Sequence, residues 1–180
     1  MSDTAIPPRA QLLSERRISS VPTFAQVAKI ATYGATLSGI YLAVGFLFYY
    51  ASREKLITDS GTMPAGLAKS FDGSLFASVP GNNASWILLG MVEALVVVLL
   101  AVSLLTGEFL PQRRKPILLG GLSVSLFAYG LMVLANAMIG NNATVAELFT
   151  YFGMTLIVMF LVRQMAPYRP LSWLAGQAGS

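Results

Sequence analysis

WILLGMVEALVVVLLAVSLL, running from Trp86 to Leu105, is the stretch that decides the fold. Its twenty residues carry a single ionisable group, Glu93. About 20 residues of helix cross a bilayer's hydrocarbon core. An acid near the centre of such a helix costs about 2.5–3.5 kcal/mol on insertion scales. Glu93 therefore calls for a partner, a polar interior or a function.

Three further stretches have the length and composition of a span: Ile30–Ala51, Pro116–Ile139 and Val145–Val162. The chain has 180 residues, 55% hydrophobic and 11% charged, with a mean hydropathy of +0.66. Soluble domains carry roughly 25% charged residues, so this composition belongs in lipid. Backbone amides in hydrocarbon must find partners within their own segment, which makes the spans helices. The expected architecture is all-α: a four-transmembrane-helix bundle with helices at about 24–57, 85–106, 116–139 and 145–165. Residues 1–23 and 166–180 form tails. Met63-Pro64 suits a helix start, and Leu67, Phe71 and Leu75 recur every four residues, which predicts an interfacial helix over 63–79.

Basic residues set the expected orientation. Nine of the twelve Lys and Arg (Arg9, Arg16, Arg17, Lys29, Arg113, Arg114, Lys115, Arg163 and Arg169) fall on one side. That side is expected to be cytoplasmic, with both termini there and the 63–79 segment outside. The net charge of +4 then reflects membrane orientation, and nucleic-acid binding is not expected. The stretch before Lys29 is too long and polar for a conventional signal peptide, so the first helix is expected to remain. Gln11–Val21 reads equally as a surface-lying amphipathic segment or a basic tail.

The chain contains neither Cys nor His. Disulfides, thiolate iron–sulfur clusters, His-ligated haem and Cys/His zinc sites are thereby excluded within it. No cofactor held by this chain alone is expected, while a quinone or lipid remains compatible.

Local capping signals are plentiful. Thr23 with Gln26, and Thr144 with Glu147, have capping-box spacing. Asn83 or Ser85 is suited to cap the second helix, and Trp86 to anchor it at the interface. Gly34-x-x-x-Ser38, Gly39-x-x-x-Ala43, Gly90-x-x-x-Ala94 and Gly121-x-x-x-Ser125 suit close helix approach. Counting inward at about 1.5 Å per residue puts Tyr41, Tyr129, Tyr151 and Thr155 near the depth of Glu93. Helical periodicity sets Tyr41 with Lys55, Trp86 with Gly90 and Glu93, and Tyr151 with Thr155 on common faces. A polar pocket around Glu93 is the candidate site, against the plainer reading that these hydroxyls satisfy interhelical hydrogen bonds. A direct Lys55–Glu93 contact is not expected, because Lys55 projects past the apolar run while Glu93 lies roughly 10–12 Å inside it.

The run Ser52-Arg53-Glu54-Lys55-Leu56, the amphipathic Met63–Val79 segment and Glu93-Ala94-Leu95-Val96-Val97-Val98-Leu99-Leu100 together resemble the DoxX-like family of small four-helix bacterial membrane proteins. Ser52 stands where that family has Gly, and no Gly closely follows Glu93. The resemblance, over about residues 30–163, implies a multi-pass protein of the bacterial plasma membrane that accompanies other membrane subunits in a redox or respiratory complex. A proton-coupled carrier using Glu93, and a quinone-linked oxidoreductase subunit acting on small sulfur compounds, are the alternatives.

Overall fold

The computed structural model describes residues 24–165 except Gln112, with only the backbone of residues 25, 26, 29 and 76. The expectations for Gln11–Val21, the Thr23–Gln26 cap, Lys29, Arg169 and both tails lie outside the described residues. Within them the chain is all-helical. Helix α1 is Phe24–Arg53, followed by a π-helical turn, Glu54–Thr58. Two short helices follow, α2 (Ala65–Ser70) and α3 (Leu75–Ser78), and then α4 (Asn82–Leu105), α5 (Pro116–Met138) and α6 (Asn142–Gln164). Four of these helices are long and apolar enough to cross a membrane.

Burial follows helical periodicity. On α4 the buried positions are Gly90, Glu93, Val96, Leu100 and Ser103; on α6 they are Leu148, Thr155 and Val162. The polar groups Lys55, Ser103, Glu108, Lys115, Ser125 and Thr155 are inside, while Phe46, Met91, Leu95, Phe127 and Phe160 are exposed. Apolar side chains thus occupy both core and perimeter, the distribution that suits helices bathed in hydrocarbon.

Several local expectations give way to tertiary ones. Helices α4 and α6 each begin three residues before the expected start. The α4 cap is Gly81, at φ +101° and without a capping side chain. Asn82 and Asn83 bond elsewhere. Asn82 Nδ2 donates to the Ala68 carbonyl at 3.3 Å, and the Met63 N–H donates to Asn83 Oδ1 at 3.0 Å. Both amides tie the segment before α4 to the start of that helix, and neither Asn83 nor Ser85 caps it. At α6 the cap is Asn141, whose Oδ1 accepts from the Thr144 N–H, so the Thr144–Glu147 capping box does not form. The expected 63–79 helix is two short ones, parted at Gly73 with φ +81°.

The small-residue spacings divide in the same way. A Cβ at Gly121 would touch Leu99 and Leu100, whereas Gly34 and Gly39 face open space. At Gly90 a Cβ would stand 3.0 Å from Lys55 Cβ and from Leu56 Cγ and Cδ2. Alanine normally favours a helix interior by about 1 kcal/mol over glycine, but overpacking a tight contact costs about 1–3 kcal/mol. Gly90→Ala is therefore expected to lower the melting temperature in detergent, and Gly39→Ala to leave it unchanged or raise it. Equal behaviour of the two variants would contradict a close α1–α4 approach at Gly90.

Candidate functional site

The approach at Gly90 builds the site. In the π-helical turn the Asp59 N–H donates to the Glu54 carbonyl, and the Gly61 N–H reaches back to Lys55 O at 2.9 Å. Gly61, at φ +75°, lies so close to α4 that a Cβ there would meet Ile87 at 2.9 Å. This seats Lys55 against Gly90, with Trp86 one turn to one side and Glu93 one turn to the other.

Lys55 Nζ stands 3.0 Å from Glu93 Oε1. It also donates to the Ala51 carbonyl at 3.3 Å and lies 4.7 Å from the centre of the Trp86 ring. Glu93 is fully buried, and Lys55 is only 7% exposed. The direct pair that depth counting argued against is therefore present. Helix direction supplies the reason. Side chains on a helix lean toward its own N-terminus, and α1 and α4 are antiparallel neighbours. Lys55 leans toward the middle of the bundle, and Glu93 leans back toward Lys55. Trp86, expected as an interface anchor, instead covers the ammonium with its ring, a cation–π arrangement. The ion pair is close but not aligned as a hydrogen bond, and Glu93 Oε2 has no protein partner.

Tyr129 on α5 and Thr155 on α6 are the next candidates. Both are buried. The Tyr129 ring sits 5.3 Å from that of Phe48 and stacks on Tyr151 at 6.1 Å. Tyr151 contributes only its ring, because its hydroxyl donates to Glu147 Oε1 at 3.1 Å.

Tyr41 does not belong to this cluster. It lies about four helical turns before Lys55, and its hydroxyl is 2.7 Å from Ser103 Oγ, near the other end of α4. Depth counting set it level with Glu93 from the rise along each helix alone, whereas the level is decided by the register between α1 and α4. The facing residues follow that register: Lys55 meets Gly90, Gly45 meets Leu100 and Tyr41 meets Ser103.

Tyr41 leads to a second buried polar centre that local sequence patterns do not reveal. Ser103 Oγ donates to Glu108 Oε2 at 2.7 Å, so its single proton is committed and Tyr41 must be the donor to Ser103. Glu108 also accepts the backbone N–H groups of Ile117 at 3.0 Å and Leu118 at 2.7 Å. A carboxylate thus closes the N-terminus of α5, where unpaired amides and the helix dipole favour negative charge. Lys115, counted above as a loop cation, is almost fully buried. It donates to the carbonyls of Leu110 and Arg113 and lies 5.2 Å from the Tyr33 ring centre. The available signal was a lone acid in a basic loop ahead of a helix-opening proline. Nothing local says that the loop folds back.

The two centres generate separate expectations. Removing one partner of a buried ion pair costs about 3–5 kcal/mol, whereas replacing both with apolar residues is often neutral. Lys55→Met and Glu93→Leu should each destabilise strongly, and the double variant should recover most of the loss in a detergent unfolding cycle. Simply additive losses would contradict the pairing.

For Lys115, burial holds the ammonium below the usual lysine range, while the Glu108 carboxylate pulls the other way. The folded protein then sheds this proton at lower pH than the unfolded chain. The cost of burying the charge is present below the folded value and relieved as pH rises toward 10.5, the ordinary value. The stability difference between wild type and Lys115→Met should therefore move in favour of wild type as pH climbs through that window. A flat or opposite trend in pH-resolved thermal unfolding would contradict it. Against protein-family models, curated proteins and solved structures, the chain finds no match.

Proposed function

We propose that this chain is an accessory, DoxX-like integral-membrane subunit of a redox or respiratory complex in the bacterial plasma membrane. In this reading it is not catalytic alone and holds a quinone headgroup, or a polar ligand of similar size, at the Lys55–Glu93 end. One observation carries the reading. Among the described residues, the buried side-chain atoms without a hydrogen-bond partner are Asp59 Oδ2, Ser74 Oγ, Asn82 Oδ1, Ser85 Oγ, Trp86 Nε1 and both Glu93 oxygens, of which Oε1 is ion-paired with Lys55. All seven lie at this one end. Unpartnered buried polar groups are rare in native proteins, and each costs about 1–3 kcal/mol. Their concentration favours a site that something polar completes. The set mixes an indole donor, hydroxyls and carboxyl oxygens, and so suits a ligand that alternates between carbonyl and hydroxyl forms.

Two further features support the same reading. An apolar groove of about 190 Å³ runs beside Ser85, walled by Phe71, Leu89, Val92, Leu131 and Ala135 among others, and it suits a hydrocarbon tail. The residues that carry the family resemblance also converge, since Lys55 meets Glu93 and the 63–79 segment is tied to the start of α4. The exposed Arg113, Arg114 and Arg163 favour placing the opposite end, and both termini, in the cytoplasm.

Native purification with quinone extraction tests the proposal. Wild type should bring stoichiometric membrane partners and bound quinone. Trp86→Phe, which keeps the ring but loses its N–H, and Glu93→Gln should retain the partners and lose most of the quinone. Consistent recovery as a free bundle without quinone overturns the reading. The unpartnered Glu93 Oε2 favours one alternative, a carrier using Glu93 as the coupling acid. Undiminished flux through Glu93→Gln in proteoliposomes would remove it.

A further inference from the structure

The end of the bundle away from Glu93 holds a second groove that the proposed function does not use. It measures about 390 Å³ and is lined chiefly by Gly34, Leu37, Ser38, Tyr41, Leu104 and Phe109. Its walls are α1, the end of α4 and the loop beyond, and its surface is almost entirely apolar. Gly34 contributes to its width, because a Cβ there would meet nothing within 4 Å.

The loop above this groove is unbalanced in charge. Glu108, the one acid among the described residues at this end, is buried, and both its oxygens are taken by Ser103 and the α5 amides. Lys115 is likewise consumed by two carbonyls. What remains exposed is cationic: Arg113 and Arg114, with Arg163 in the last turn of α6. Arg113 Nη1 donates to the Thr106 carbonyl at 3.5 Å, which ties its guanidinium to the turn between Leu104 and Phe109, the two residues that line this side of the groove. Tyr33, beside Gly34, donates to the Leu110 carbonyl at 3.5 Å and joins the loop to the opposite wall.

Cations over an apolar groove complement one class of molecule in the bilayer. We propose that an anionic phospholipid occupies this groove, its phosphate at Arg113 and Arg114 and one acyl chain against the Gly34–Ser38 face. Guanidinium matches phosphate oxygens in a planar, two-pronged geometry. A zwitterionic lipid would satisfy the groove but leave the net charge unmatched. This site lies at the other end of the bundle from the Lys55–Glu93 cluster and does not depend on the function proposed there.

The experiment is native mass spectrometry of the full chain in mild detergent, titrated with phosphatidylglycerol or phosphatidylcholine of identical chains. Wild type should retain phosphatidylglycerol with about 25-fold preference. Arg113→Gln/Arg114→Gln should abolish the preference, at about fivefold per arginine. Arg114→Gln alone spares the Arg113–Thr106 contact and should lose part of it. Gly34→Leu, which fills the groove, should weaken retention of both lipids while leaving the melting temperature unchanged. Equal retention of the two lipids, an undiminished preference in both arginine variants, or full displacement by inorganic phosphate, which would mark a headgroup-only site, overturns the proposal.

Discussion

The buried contact between Lys55 and Glu93 is the interaction on which the arrangement of α1 and α4 depends. An ionisable group in the centre of an apolar helix is costly, and a lone charge there would oppose insertion. Pairing reduces the cost only when the two helices come close enough and the partner is also kept from water. Gly90 permits the approach, the π-helical turn carries the backbone on to Gly61, and Trp86 covers the ammonium with its ring. Antiparallel direction does the rest, because the two side chains lean toward each other from opposite helix senses. Each of these features is ordinary alone, and together they make room for one ion pair.

The other end of the bundle solves the same problem by different means. Glu108 spends its carboxylate on the amides that open α5 and on the Ser103 hydroxyl, and through Ser103 it reaches Tyr41 on α1. Lys115 is neutralised mainly by carbonyls and a tyrosine face. At this end backbone groups do most of the satisfying, and the polar centre is closed. At the Lys55 end several polar atoms have no protein partner. That asymmetry separates a Glu108 end whose polar groups satisfy one another from a Glu93 end where several do not.

Much of this was legible from local pattern. The four spans follow from composition, and the Trp86–Gly90–Glu93 stripe follows from helical periodicity, which needs no knowledge of the neighbouring helix. Tyr129 and Thr155 were grouped with Glu93 by depth counting, and both are buried. Errors arose where a level or a partner had to be inferred across helices. Tyr41 was set about three turns too far along, because its level was counted on one helix without the register that pairs Lys55 with Gly90 and Tyr41 with Ser103. Gly34 and Gly39 have the same small-residue signature as Gly90, yet only Gly90 meets a neighbour closely. Asn83 and Thr144 carry cap-forming chemistry, but tertiary contacts gave Asn83 another partner and Asn141 took the cap of α6.

The sequence alone determined that this is a membrane bundle of four helices with an acid in its interior, because hydrophobic length and helical period are properties of one segment at a time. Only the tertiary structure decided that Lys55 answers that acid, that Tyr41 serves a different centre and that Glu108 closes α5. Register between helices depends on where each one ends, how closely a glycine lets them approach and which way their side chains lean. Those quantities exist only once two segments are in contact.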